Sequence, residues 1–299
     1  MLRWGSCHSP ALSWFALSLA AALTQAAQFA VVKGRAQAIP PLAIVAGTQL
    51  VAFTTWFLYF VFTHETFTPP SAVWPAVPAS AVLVFGMASL LARASARGDI
   101  SVVGPVFALS PIFTVLPDAA LSGTWPSPLG WVGLSLSVLG TSTLAARGTG
   151  WRGLAALFAR RDALDALGAA VLLGLVAAVD RWGARTIGPA SYLLGSHAAT
   201  ALLAGVIAVI TTPAGLAESV RVRNVVTLVG HGLLGAAGTG MQTTALTMAP
   251  AAYVNAIRRM SSVVAVLLGR ALFAEPDLGR RLFAALLASA GAACLLLAR

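Results

Sequence analysis

The chain has 299 residues, of which 58% are hydrophobic and 9% are charged, whereas about a quarter of the residues in a soluble domain carry charge. This composition excludes a soluble protein, and it leaves too little polar sequence for a disordered chain or a nucleic-acid-wrapping chain. The net charge of +10 is better explained by membrane anchoring and topology than by nucleic-acid binding. We therefore expect an integral membrane protein whose partners are the lipid bilayer and a small molecule, with no nucleic acid.

Ten apolar stretches are long enough to cross a bilayer as helices, a length of about 20 residues each. Long uninterrupted apolar runs exclude a β-barrel, so the sequence predicts an all-α integral membrane protein. The predicted helices cover residues 11–32, 41–62, 72–94, 100–122, 128–146, 166–182, 189–211, 224–247, 250–273 and 280–298. The first stretch begins like a cleavable signal sequence, but it continues through Val32 to a spanning length, so we interpret it as helix 1.

The two halves of the chain resemble each other. The matched residues include Gln49 with His197 at a displacement of 148, and Ser110 with Ser261 and Gly140 with Gly291 at a displacement of 151. Because each half has five helices, an odd number, the second half must cross the bilayer in the opposite direction. We predict two inverted five-helix repeats, over residues 1–150 and 151–299, an arrangement typical of transporters.

Two segments at corresponding places in these halves carry a family resemblance. Ser110 to Thr114 opens the core of helix 4, and Leu272 to Glu275 closes helix 9 before a Gly-containing last helix. Both segments resemble the drug/metabolite transporter superfamily, EamA type, although Thr124 stands where a Glu matching Glu275 is usual. The resemblance covers nearly the whole chain. It implies a secondary transporter rather than an enzyme, often an exporter of amino acids or other small metabolites, with no cofactor.

The orientation in the membrane stays open, because two arguments disagree. Thirteen of the 19 basic residues lie in the loops on one side, and four lie on the side that carries both termini. The positive-inside rule then places the termini outside, whereas the family usually has them in the cytoplasm. All but one of the basic residues are Arg, which favours a bacterial source and hence the inner cell membrane. A homodimer is left as an alternative to a monomer.

Helix 9 places an arginine pair inside the bilayer. Arg258 and Arg259 lie about 12 Å into the predicted helix, and Asn255, Arg259 and Ser262 share one face. An arginine at the centre of a lipid-facing helix costs about 2.5–3.5 kcal/mol, so the pair should face protein or a water-filled cavity. We predict that these residues bind a carboxylate or phosphate group of the substrate, because the guanidinium fork matches such oxyanions. The alternatives are snorkelling or a structural ion pair.

Three further polar residues inside predicted spans complete the candidate substrate site: Asp118, His197 and Gln242. Asp118 is the only acidic residue that the prediction places well inside a span, and we expect it to be the counter-ion of Arg258. Asp180 is placed at a helix end. His197 has two interpretations, a hydrogen bond between helices or a proton carrier. No catalytic residue and no metal ligand is predicted.

Packing roles are predicted for four residues of helices 1 and 8. Gln25 and Gln28 lie on adjacent turns and should hydrogen-bond to neighbouring helices, and Gly235 and Gly238 should allow close helix packing.

Two other function classes stay open besides transport of a small organic solute. One is a membrane enzyme acting on a lipid phosphate, although the sequence lacks the clustered acids or paired histidines that such chemistry needs. The other is a non-transporting membrane subunit. Loss of solute flux in reconstituted vesicles despite intact folding would favour either class. Within the transport interpretation, proton coupling and facilitated exchange are both open.

Overall fold

A computed structural model describes residues 10–35, 39–97, 103, 106–145, 160–213, 215, 221–261 and 278–298. Within these ranges the regular structure is helical. The α-helices are α1 (Pro10–Arg35), α2 (Pro41–Thr63), α3 (Ala76–Arg97), α4 (Ser110–Ser122), α5 (Pro128–Ala145), α6 (Arg161–Ile187), α7 (Pro189–Thr211), α8 (Val222–Met248), α9 (Ala251–Arg259) and α10 (Leu278–Leu297). A short 3-10 helix at Pro70–Val73 precedes α3.

These ten helices lie where the sequence predicts them, with differences at the ends. Helix α6 runs over Arg161–Ile187, ten residues longer than the predicted 166–182. Predicted helix 9 extends to residue 273, and its part from 262 onward lies outside the described residues. The length of α6 is the difference that matters for the site, because it moves Asp180 and Arg181 from a predicted helix end into the bundle.

Four of the described helices are long and apolar enough to cross a membrane. They are Pro41–Thr63, Ala76–Ala94, Arg161–Ile187 and Pro189–Thr211, with mean hydropathies of 1.6, 1.6, 1.9 and 2.0. Large apolar side chains cover the outward face of α7, where Leu202 and Ile210 are 70% and 74% exposed. Such continuous apolar surface fits lipid rather than water. The chain is therefore a multi-pass membrane protein.

The turn between α6 and α7 consists of Gly188 alone. Its φ of +84° lies in the left-handed region, which glycine adopts without steric cost. Pro189 follows in the first turn of α7, where the N–H that proline lacks would have no helical partner. This tight reversal brings the end of α6 against the start of α7, and so places Asp180 next to Tyr192.

The largest helix contacts join the first five helices to the last five. The main pairs are α5 with α10, α3 with α6, α1 with α8, α2 with α7 and α4 with both α6 and α9. The largest buried cluster combines Trp14, Leu134, Leu246, Tyr253 and Leu295, from α1, α5, α8, α9 and α10. The two halves therefore share one core.

Helices α5 and α10 approach to backbone contact at two glycines. A Cβ atom on Gly140 would lie 2.5 Å from the backbone nitrogen of Ala288, and one on Gly291 would lie 2.5 Å from that of Ser137. No real Cβ atom tolerates such distances, so these positions require glycine unless the helices move apart.

Candidate functional site

The arginine pair of α9 contacts a neutral side chain of α1. Arg258 donates from Nε to Oε1 of Gln25 at 3.0 Å, and Arg259 donates from Nη2 to the same oxygen at 3.4 Å. Gln25 lies near the middle of α1, so both guanidinium groups point toward the middle of the bundle. Among the described residues, no carboxylate forms an ion pair with either arginine. The predicted interhelical hydrogen bonding of Gln25 is confirmed.

The seam between α4 and α9 contains three buried polar atoms without a partner among the described residues. These atoms are Nε of Arg259, Oδ1 of Asn255 and Oγ of Ser110. The guanidinium of Arg259 lies 5.1 Å from the centre of the Phe107 ring, a cation–π contact, and Asn255 donates from Nδ2 to Oγ1 of Thr114 at 2.9 Å. Buried polar atoms normally have partners. Three buried polar atoms without a hydrogen-bond partner along one helix contact therefore indicate a place for a polar ligand or for water.

Asp118 pairs with Arg181, so the predicted pairing with Arg258 is wrong. Nη1 of Arg181 donates to Oδ1 of Asp118 at 2.7 Å, and the backbone N–H of Ala251 donates to Oδ2 at 2.8 Å. The prediction ended helix 6 at residue 182, which left Arg181 at a membrane surface. Because the helix continues to Ile187, Arg181 lies inside the bundle, 4% exposed, and reaches α4.

The ion pair belongs to a closed hydrogen-bond network. Nη1 of Arg181 also donates to the hydroxyl oxygens of Ser122 and Thr124, each at 2.7 Å, and Nε donates to the carbonyl oxygen of Leu246 at 3.2 Å. The network joins the ends of α4, α6 and α8 to the start of α9. Both oxygens of Asp118 therefore accept hydrogen bonds from within the protein.

Asp180 is a second acidic residue inside the bundle, where the sequence analysis places it at a helix end. It lies seven residues before the end of α6, about 10 Å along the helix axis. Ser80 of α3 and Tyr192 of α7 both donate to its Oδ1, at 2.8 Å and 2.7 Å. Among the described residues, no cation forms an ion pair with Asp180. The expectation that Asp118 is the only acidic residue well inside a span is therefore wrong.

His197 connects three helices through both ring nitrogens. Nδ1 lies 2.5 Å from Oε1 of Gln49 on α2, and Nε2 lies 3.2 Å from Oγ1 of Thr239 on α8. These are the helix–helix hydrogen bonds of the first interpretation. Gln242 is 5% exposed on α8, and Ser262 lies outside the described residues.

The predicted packing roles on α1 and α8 are confirmed. Gln28 donates from Nε2 to the backbone oxygen of His231 at 3.1 Å. A Cβ atom on Gly238 would lie 2.5 Å from Oγ1 of Thr24, and one on Gly235 would lie 2.9 Å from Nε2 of Gln28. Glycine therefore permits the close approach of the two helices.

Comparisons with known proteins agree with this architecture. No curated protein matches the chain, whereas 28 chains of solved structures do. One crystal structure, 20% identical in sequence, matches with a TM-score of 0.74 over 95% of this chain and 96% of that chain. At this identity the likeness shows a shared fold over nearly the full length. Residues 12–146 match the model of the EamA-like transporter family. This match lies within the first half of the chain, which is therefore similar to that family.

Proposed function

We propose that the protein is a secondary transporter in the inner membrane of a bacterium, where it exports a small organic metabolite such as an amino acid or an organic anion. The observation that carries the solute class is the arginine pair, whose guanidinium groups contact the amide of Gln25 and the ring of Phe107 rather than carboxylates. Unpaired cations inside a bilayer protein are costly. A carboxylate or phosphate group of the solute would supply the missing negative charge.

Two inverted repeats, residues 1–150 and 151–299, form the proposed framework. Exchanging each helix with the one five later turns the α3–α6 contact into the α8–α1 contact and leaves α5–α10 and α2–α7 unchanged. Contacts at residue level follow the same rule. Gly140 meets Ala288, and Gly291 meets Ser137, and these two contacts are equivalent under the displacement of 151.

A second pair of matched residues supports a pseudo-twofold relation between the halves. Gln49 and His197 correspond at the displacement of 148, and they hydrogen-bond directly to each other. Residues beside a twofold axis in an isologous contact meet their own equivalents in this way. An axis in the membrane plane would relate the repeats, as in other inverted-repeat transporters.

Alternating access would proceed by rocking the two repeats around a site that Arg258, Arg259, Asn255, Ser262 and Gln242 line. In this proposal the Asp118–Arg181 network closes the side that carries the termini, because it ties four helices together there. Arg258 and Asp180 lie about 10 Å along their helices from that side, and both are only half-buried. Partial exposure of these two side chains supports access to the site from water.

A ligand-stabilisation screen of the purified protein tests the solute class. Binding to the native state raises the melting temperature with affinity and concentration. We expect compounds with a carboxylate or phosphate group, among amino acids, organic acids and phosphorylated metabolites, to raise it. Stabilisation by cationic drugs alone would contradict the assignment of Arg258 and Arg259.

Substitution of the arginine pair tests the site directly. Arg258→Ala and Arg259→Ala should each lower exchange of a stabilising solute in proteoliposomes by about tenfold or more, because a hydrogen bond to a charged group contributes about 1.5–3 kcal/mol. Arg185→Ala is the matched control, since Arg185 is exposed at the end of α6. Unchanged exchange in both variants would remove the site assignment. Absence of any flux from well-folded wild-type protein would favour the enzyme or subunit alternatives.

A further inference from the structure

The two acidic residues inside the bundle differ in how their charge is balanced. Asp118 has an arginine on one oxygen and a backbone N–H on the other. Asp180 receives two hydroxyl donors on Oδ1, and among the described residues its Oδ2 receives no hydrogen bond. Asp118 is therefore held as a structural anion, whereas Asp180 has an open oxygen that can take a proton.

Arg258 lies on α9, a helix that packs against α6, which carries Asp180. Charged or titratable side chains on α6 and on the helices packed against it, within the described part of the chain, are Arg93, Asp118, Arg161, Asp162, Asp165, Arg181, Arg185, Tyr192, His197, His231, Tyr253, Arg258 and Arg259. Of these, Tyr192 donates to the carboxyl group, and Arg258 is a cation whose guanidinium contacts Gln25 rather than a carboxylate. Arg181, one residue away, is directed to Asp118.

An anion at Arg258 changes the field at Asp180. The bound anion offsets the positive charge of Arg258 and adds a negative charge close to the carboxylate, so the carboxyl group binds a proton more tightly. Linkage is reciprocal, so a proton on Asp180 strengthens anion binding by the same factor.

We propose that Asp180 is the proton-binding residue of the transporter and that it carries a proton in the same direction as the anion bound at Arg258. The inference rests on the proposed function. The proton comes from water on the side to which the site is open, bonds to Oδ2, and returns to water on the other side when the anion leaves. For a monoanion, the transported pair carries no net charge, and the site returns to its starting state.

Infrared difference spectroscopy of the reconstituted protein detects protonation of Asp180 and does not require a known substrate. Lowering the pH should produce carbonyl-stretch bands of protonated carboxyl groups, and Asp180→Asn should remove one component of them. Asp162→Asn is the matched control, because Asp162 lies on the same helix and pairs with Arg160 at 2.8 Å. A spectrum of Asp180→Asn that loses no component relative to the wild type would overturn the proposal.

The link between the proton and the anion is tested with sulfate, a strong-acid anion. Sulfate should move the titration of the component that Asp180→Asn removes to higher pH in the wild type and not in Arg258→Ala. A titration that sulfate leaves unchanged in the wild type would overturn the linkage. If Asp180→Asn does not fold, Tyr192→Phe removes one donor to the carboxylate and should move the same titration to higher pH; an unmoved titration would count against Asp180.

Flux measurements test the direction of coupling with labelled L-lactate, L-glutamate and inorganic phosphate, each tested separately. A pH gradient should drive accumulation on the less acidic side in the wild type and fail to do so in Asp180→Asn, whose exchange should not depend on pH. Accumulation on the more acidic side would contradict movement in the same direction. If none of the three anions is exchanged, the transport proposal loses its support. The infrared measurement then still tests whether Asp180 binds a proton.

Discussion

Asp118 and Arg181 place two opposite charges where water does not compensate them, at 2% and 4% exposure. The two side chains hydrogen-bond to each other, Arg181 also bonds to two hydroxyl groups and one backbone oxygen, and Asp118 also accepts from a backbone N–H. A buried pair of this kind adds little to stability relative to apolar residues, but removing one partner leaves the other uncompensated.

Asp118→Ala should therefore lower the free energy of unfolding by about 3–5 kcal/mol. The double variant Asp118→Leu with Arg181→Met should recover most of that loss, because no charge is left buried. Asp162→Ala is the control and should change stability by about 1 kcal/mol or less, since its partner Arg160 is largely exposed. Denaturant unfolding in detergent measures all three, and a double variant as unstable as the single one would contradict the explanation.

The same residues show where inference from one sequence ends. Depth along a helix follows from counting residues, and on that basis Arg258 was a sensible partner for Asp118. Which neighbouring helix faces the carboxylate depends on tertiary packing, which the sequence of one helix does not specify. The predicted end of helix 6, at residue 182, lies five residues before the observed end at Ile187, so the prediction places Arg181 at the membrane surface. Asp180 was missed for the same reason. A charged residue within one turn of a predicted helix end deserves to be counted as inside the span.

At the scale of helices, the hydropathy of the sequence located the ten described α-helices. The bilayer requires long apolar stretches whose backbone hydrogen bonds are satisfied within the helix. The close packing of α1 on α8 followed from the stripe of Gly235 and Gly238. The contact between α5 and α10 did not, because Gly140 and Gly291 are separated by half the chain and no local pattern pairs them.

Gly140→Ala should destabilise the protein, because the added Cβ would lie 2.5 Å from the backbone nitrogen of Ala288. The expected loss is about 1–3 kcal/mol, the usual range for overpacking. Gly205→Ala is the matched control on α7, where no atom lies within 4 Å of the added Cβ, and the better helix propensity of alanine should leave stability equal or slightly higher. Melting temperatures in detergent compare the two variants. Equal losses would show that α5 and α10 do not meet at Gly140.

At the scale of the whole molecule, the large contacts between halves make each half a poor candidate for independent folding. The largest buried cluster includes residues of α1, α5, α8, α9 and α10, so the proposed transport motion would have to conserve most of it. The Asp118–Arg181 network lies near one membrane face, and Gln25, Arg258 and His197 lie deeper. In the proposed cycle, rocking of the repeats would separate the ends of α4, α6 and α8 on that face.

Access to the arginine pair from water distinguishes a transporter from a closed bundle. In a chain with Cys7 and Cys294 replaced by Ser, Arg258→Cys should react with a membrane-impermeant thiol reagent. Under the proposed alternating access, the reaction should occur with reagent on either side of the vesicle. Leu202→Cys is the control. Leu202 is 70% exposed on α7, yet it faces lipid, which a charged reagent does not enter, so it should stay unlabelled. Reaction at both positions would mean that exposure alone governs labelling, and a position 258 sealed from both sides in every state would end the proposal of a wet, cationic site between the repeats.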